Sequence, residues 1–138
     1  ISVNILYDEI LGKNIQKRTK KISLQIICYK DYADFQKIYK NLLIFALDYD
    51  TIIGKLIFRQ KIDGDQMKLS QGNGTKTLKK WYQEKKLTPL QRQTALVICD
   101  QQGILGAEHI GVDRRAALTE KTVNVLQIII EKEEKSQE

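Results

Sequence analysis

The stretch Ala95-Leu-Val-Ile-Cys-Asp100-Gln-Gln-Gly103-Ile-Leu-Gly-Ala-Glu108 decides the fold class. Ala95 to Asp100 and Gly103 to Glu108 are two strand-like runs. Asp100 to Gly103 reads as the hairpin turn between them, with glycine supplying an unusual backbone angle. The same signal recurs on both sides. Ile22 to Tyr29 is rich in β-branched and aromatic residues, Asn41 to Asp48 repeats the pattern, and Lys55 to Arg59 makes a shorter strand after the break at Gly54. Val123 to Ile130 reads as a final strand, which brings the expected strands to six.

Two short helices interrupt this β pattern. Thr75 to Lys85 has good helix formers, with Leu78, Trp81 and Tyr82 at helical spacing, so one face belongs to a core. Lys76, Lys79 and Lys80 are then expected on the face that packing leaves free. Thr88-Pro89-Leu90-Gln91 carries a cap residue, a proline at the first helical position and a glutamine three after the cap, the pattern of a capping box. A second helix carrying Arg92 is expected to start there. Ile1, Ile5, Leu6, Ile10 and Leu11 fit a helical stripe that stops at Gly12. Lys13 to Lys21 holds five cations and no acid, and is expected as an exposed loop or arm. Glu131 to Glu138 reads as a charged, frayed tail.

A chain of 138 residues is about one domain, and 42% hydrophobic with 29% charged residues is ordinary for a globular protein. No apolar run approaches the ~20 residues that span a bilayer. The chain opens on Ile1 without a charged-then-apolar leader, which reads as a segment cut from a longer cytoplasmic protein. Cys28 and Cys99 lie in apolar stretches with no second cysteine near either, and are expected as reduced core residues rather than metal ligands. His109 stands alone, so it reads as a turn or sheet-edge side chain. The formal charge of +6 favours a polyanionic partner, nucleic acid before an anionic membrane surface.

Catalytic patterns are weak. Gly72-Asn73-Gly74 precedes a helix and would let backbone amides meet an anion, but Thr75 and Lys76 are in the wrong arrangement for a phosphate-binding loop, and a flexible turn is the plainer reading. The pairs Asp48/Asp50 and Asp63/Asp65 read as turn anchors or partners of neighbouring cations. Trp81 and Tyr82 read as core rather than as a base-stacking platform. The best constellation joins the glycine loop, the lysine-faced helix and a second helix start with Lys85, Lys86 and Arg92. Cations so placed suit phosphate contacts to structured RNA.

From Phe45 onward the order of residues resembles the C-terminal domain of bacterial tRNA(Ile)-lysidine synthetases. Phe45-Ala-Leu-Asp48-Tyr-Asp50 is similar to that family's D-x-D strand, and Leu56-Ile-Phe-Arg59 with Gly64-Asp65 to its L-x-x-R…G-D signature. Gly74-Thr-Lys76-Thr-Leu78-Lys79 resembles its G-x-K-K-L-K helix start, and Lys86-Leu-Thr-Pro89-Leu-Gln-Arg92 its K-I-P…R link. Gly111-Val-Asp113 with Thr119-Glu-Lys-Thr122 resembles its closing G-[IV]-D…T-x-x-T stretch. The chain departs from the pattern at Gln66, where arginine is usual, at Leu69 and Ala95 for prolines, at Thr77 for a second lysine, and at Gly106 for an aromatic.

The resemblance implies a small α+β module, a mixed β-sheet with two or three short helices, related to one in the phenylalanyl-tRNA synthetase β subunit. Residues 1–40 would form a leading segment, in part the tail of a preceding helical region. Residues 41–131 would form the tRNA-binding domain and 132–138 the frayed tail. The parent enzyme uses ATP to adenylate the wobble cytidine of tRNA(Ile) and then attaches lysine. Its serine-glycine-glycine loop belongs to an N-terminal catalytic domain, and no such run occurs here. The implied partners are tRNA(Ile) and that catalytic domain, with no membrane, no metal and no cofactor held by these residues. The implied tRNA contacts are Lys76, Lys79, Lys80, Lys85, Lys86, Arg92 and Arg59. A generic basic protein-interaction or RNA-binding module is the alternative, and a free-standing enzyme would need a pocket of titratable groups that the sequence does not supply.

Overall fold

The computed structural model describes residues 2–11, 14–32, 43–69 and 74–132. Its first sheet is antiparallel, in the order β1 (Ser2–Leu11), β2 (Asn14–Cys28), β10 (Asn124–Lys132), β3 (Leu43–Asp48). The second has the order β4 (Ile57–Gln60), β7 (Leu96–Cys99), β8 (Ile104–Ala107), β9 (Gly111–Val112), again antiparallel. A two-stranded ribbon of β5 (Gln66–Met67) and β6 (Lys76–Thr77) leads into α1 (Leu78–Glu84), and α2 (Pro89–Thr94) follows.

Strand β7 explains the layering. Its side chains alternate between faces, yet all four are buried, so both faces are covered. Leu96 and Ile98 pack with Ile22, Phe45, Leu47, Leu126, Ile128 and Ile130 of the first sheet. Val97 and Cys99 pack on the opposite side with Leu78, Trp81, Tyr82, Leu87 and Met67. The result is sheet on sheet with the helix pair outside the second sheet, an α+β arrangement in which the second sheet is the middle layer.

Two ion pairs tie the layers. Lys20, on β2, has no solvent exposure. Its Nζ donates to Glu108 Oε1 at 2.6 Å and to the Thr94 carbonyl at 2.5 Å, while the same Glu108 oxygen accepts from the Leu96 amide at 2.9 Å. At the far end of β7, Asp100 accepts a two-pronged Arg115 guanidinium at 2.9 and 3.1 Å, and backbone amides of Ile53, Gln102 and Gly103. Burial by itself would push the Asp100 carboxyl up, but these donors together outweigh it and hold the group well below the usual carboxylate range.

The hairpin turn forms as its sequence indicates. The Asp100 amide donates to the Gly103 carbonyl at 2.9 Å, and Gly103 adopts φ +153°. The capping box at Thr88 is also present, with Thr88 Oγ1 accepting from the Gln91 amide and Gln91 Oε1 from the Thr88 amide. Trp81, Tyr82 and Leu78 are buried as their spacing indicates. His109 lies in a turn after β8.

Several expectations are corrected. The stripe over Ile1 to Leu11 is not helical: residues 2–11 are β1, paired with β2 from Ser2 opposite Ser23 to Leu11 opposite Asn14. The cationic run is not an open arm, because residues 14–21 belong to β2 and Lys20 is internal; Lys13 lies outside the described residues. Cys28 is exposed, not core, since it ends β2 where the sheet runs out; Cys99 is buried. The segment before the glycine turn contains β5 and a bridge from Leu69 to Asp113, and of that turn Gly72 and Asn73 lie outside the described residues. Strand formation extends through Glu131 and Lys132, while 133–138 are outside the described residues. Short strands β5, β6 and β9 add to the six that periodicity shows, because two residues carry no period.

Two neighbours in α1 separate packing from polarity. Trp81 fills the core and donates its indole N–H to the Met67 carbonyl at 3.0 Å, so Trp81→Ala should cost ~3–5 kcal/mol in urea unfolding. Tyr82 is as deeply buried, but its hydroxyl has no hydrogen-bond partner among the described residues, and burial pushes its pKa up to about 12. Tyr82→Phe should therefore leave stability unchanged or raise it by up to ~1 kcal/mol, because it removes an unsatisfied polar atom. A loss above 1 kcal/mol would show that the hydroxyl has a partner.

Candidate nucleic-acid interface

Helix α1 begins where Thr77 caps it, its side chain accepting from the Lys80 amide. Leu78, Trp81 and Tyr82 bury one face. Lys79 and Lys80 fall on the opposite, exposed side, as helical geometry requires. The helix closes through Lys86, whose backbone is left-handed at φ +56° while its amide donates to the Gln83 carbonyl at 3.1 Å and the Leu87 amide to the Tyr82 carbonyl at 3.0 Å. This closure turns the chain into α2. Arg92 is folded back onto the turn, its Nε donating to the Leu87 carbonyl at 3.1 Å. Strand β1 runs beside α2.

The seven cations read from the sequence thus divide. Lys79, Lys80, Lys85 and Lys86 are exposed at the corner between α1 and α2, and none has an acid within ion-pair distance among the described residues. Arg92 joins this corner, exposed but anchored through its hydrogen bond. Lys76 is not on the helix: it lies in β6, with Nζ 2.7 Å from Glu84 and 4.5 Å from the centre of the Trp81 ring. Arg59 lies apart, on β4, in a two-pronged pair with Asp65 at 2.8 and 3.0 Å. Neither Lys76 nor Arg59 offers a free cation in this conformation.

One acid of each pair is an anchor. Asp48 accepts from the Asp50 amide and the Thr122 hydroxyl, and Asp65 from Arg59 and the Ile62 amide. Among the described residues no three His, Cys, Asp or Glu side chains come together to hold a metal ion. No described helix is long and apolar enough to cross a membrane. Sequence reading missed the partners of Lys20 and Asp100, whose one local sign is an acid at the end of an apolar run, as at Glu108.

Two antiparallel sheets with a helix pair packed on the second of them define a small mixed α+β module. The profile of the TilS substrate C-terminal domain matches residues 56–128, more than half of the chain, and the chain belongs to that family. Membership associates it with tRNA-lysidine synthetase and with tRNA processing. Among solved structures it is similar to a crystal structure of a TilS C-terminal domain, at 19% identity and a TM-score of 0.64, over 84% of this chain and 86% of that one. At this identity the likeness is one of fold. No curated protein sequence matches the chain.

The Arg59 pair generates a stability prediction. Burial would raise the Asp65 carboxyl, but Arg59 and the Ile62 amide together bring it below the ordinary value. A carboxylate lowered in this way contributes stability above the unfolded-state pKa of about 4, and that contribution is lost as pH falls. Arg59→Met should cost ~1–3 kcal/mol at neutral pH, because Asp65 is left nearly buried without its cation. The gap between parent and variant should narrow below about pH 4 in unfolding curves. A gap constant with pH would mean that the guanidinium acts through packing alone.

Proposed function

We propose that this domain positions tRNA(Ile) by phosphate contacts at the corner between α1 and α2, for a tRNA(Ile)-lysidine synthetase whose ATP-dependent ligation of lysine to the wobble cytidine takes place in another domain. The observation that carries this reading is the set of exposed lysines at that corner, Lys79, Lys80, Lys85 and Lys86; none is in an ion pair among the described residues, and Glu84, the acid that Lys80 and Lys85 act on, is paired with Lys76. The cations most committed to structure, Lys20, Arg59 and Arg115, are paired with carboxylates, whereas these four lie close together along the chain on an exposed corner.

Lys86 supports the reading independently. Its left-handed backbone favours glycine, so a lysine there costs stability and gains nothing from packing. A long cation at such a strained, exposed position fits a role in binding. Family membership and the fold agree with a partner that is structured RNA. A basic module that docks protein instead would show no salt-dependent tRNA affinity.

Affinity of the chain for tRNA(Ile), measured across a salt series, should fall steeply with salt. Lys79→Ala and Lys80→Ala should each lower the slope by about 1, and weaken binding to other structured RNAs to the same degree. Lys86→Gly should separate the two roles, raising stability by ~0.5–1 kcal/mol while weakening tRNA binding. Variants that fold and keep both parental affinity and slope would place the contact surface elsewhere on the domain.

A further inference from the structure

The first sheet is longer than the second, and its inner face runs past the edge of the layer that covers it. Leu24 and Ile26 of β2 and Leu126 of β10 there line a cleft of about 560 Å³, closed on its other side by Tyr49, Ile52 and Leu56. That volume lies within the range of binding pockets. Two of its lining residues are large apolar side chains left in solvent, Ile26 at 52% and Tyr49 at 41% exposure, and Ile53, next to the lining residue Ile52, is 49% exposed. Apolar side chains concentrated around a concave site mark interaction surfaces.

The charge at this cleft sets the kind of partner. Asp50 is its one charged lining residue. Glu84, Asp65, Asp100 and Glu108 each hold a lysine or arginine, whereas the Asp50 carboxylate has no partner among the described residues. No lysine or arginine is among its lining residues. Six residues of β2 separate Ile26 from Lys20, which touches α2, roughly 20 Å at a strand's rise. We propose that this cleft is a docking site for a segment of another protein surface that presents an apolar side chain beside a lysine or arginine. The apolar group enters between Leu24, Ile52 and Leu126, and the cation meets Asp50 at the mouth. This docking is separate from the tRNA reading, since Ile26 and the point where β2 meets α2 lie roughly 20 Å apart along the strand.

Random peptides displayed on phage and selected on the purified chain test this directly. The expected consensus is an apolar or aromatic residue with Lys or Arg within a helical turn of it. In amide NMR spectra the selected peptide should shift Leu24, Ile26, Tyr49, Ile52 and Leu126 and leave α1 and α2 unmoved. Ile26→Ser should weaken the peptide about tenfold and Asp50→Asn about three- to tenfold, with both variants folded because both side chains face solvent. Absence of a consensus, an acidic consensus, shifts outside the cleft, or variants that bind like the parent would each overturn the proposal. So would an oligouridylate shifting the same resonances, or a dimer in sedimentation that Ile26→Ser dissociates, since these would identify RNA or a second copy as the occupant.

Discussion

A lysine ammonium without solvent contact holds the layers together. Removing Lys20 and Glu108 from water costs several kcal/mol per ion, and only close pairing with satisfied hydrogen bonds offsets it. Those bonds reach three elements at once. Lys20 comes from β2, the Thr94 carbonyl closes α2, and Glu108 follows β8 and also takes the first amide of β7. The pair therefore fixes register as well as attachment. A slip of β2 by one residue would turn Lys20 to the other face of its sheet and leave Glu108 buried with no cation.

From this fixed point the corner between α1 and α2 follows. Thr94 is held, β7 starts two residues later, and Val97 and Cys99 give the helix pair an apolar floor. Leu78, Trp81 and Tyr82 occupy that floor, which leaves the opposite side of α1 to Lys79 and Lys80. The Lys86 turn and the Arg92 hydrogen bond then close the corner. The cationic surface is thus the outer side of a well-packed layer, and substitution of its lysines leaves the core untouched. At the far end of β7, Asp100 and Arg115 tie the hairpin turn to the segment after β9, and the first sheet contributes Leu24, Ile26 and Leu126 to the apolar cleft.

What was legible in the sequence had its determinants close together. The capping box needs only Thr88 to Gln91, the hairpin only Asp100 to Gly103, and the buried face of α1 only the spacing of Leu78, Trp81 and Tyr82. The α+β class and the family motifs from Phe45 onward follow from such local signals. Failure came where the deciding partner was remote. Ile5, Leu6, Ile10 and Leu11 fit a helical stripe loosely, but antiparallel pairing with residues 14–20 makes that segment a strand. Lys20 sits in a run of like charges that reads as solvated, and its partner is 88 positions away. Arg59, which the resemblance implies as a tRNA contact, is paired with Asp65 six positions away, a pairing that the spacing alone does not signal because β4 ends between them.

The division of cations into committed and free is the centre of this account, and lysine acylation read by mass spectrometry, with and without tRNA(Ile), tests it most directly. Without RNA, Lys79, Lys80, Lys85 and Lys86 should react readily, as should Lys55 and Lys121, while Lys20 should stay unmodified until the chain unfolds. With saturating tRNA(Ile), the four corner lysines should be protected and Lys55 and Lys121, which are not part of that corner, should stay reactive. Protection of Lys55 or Lys121 with the corner left open would contradict the account.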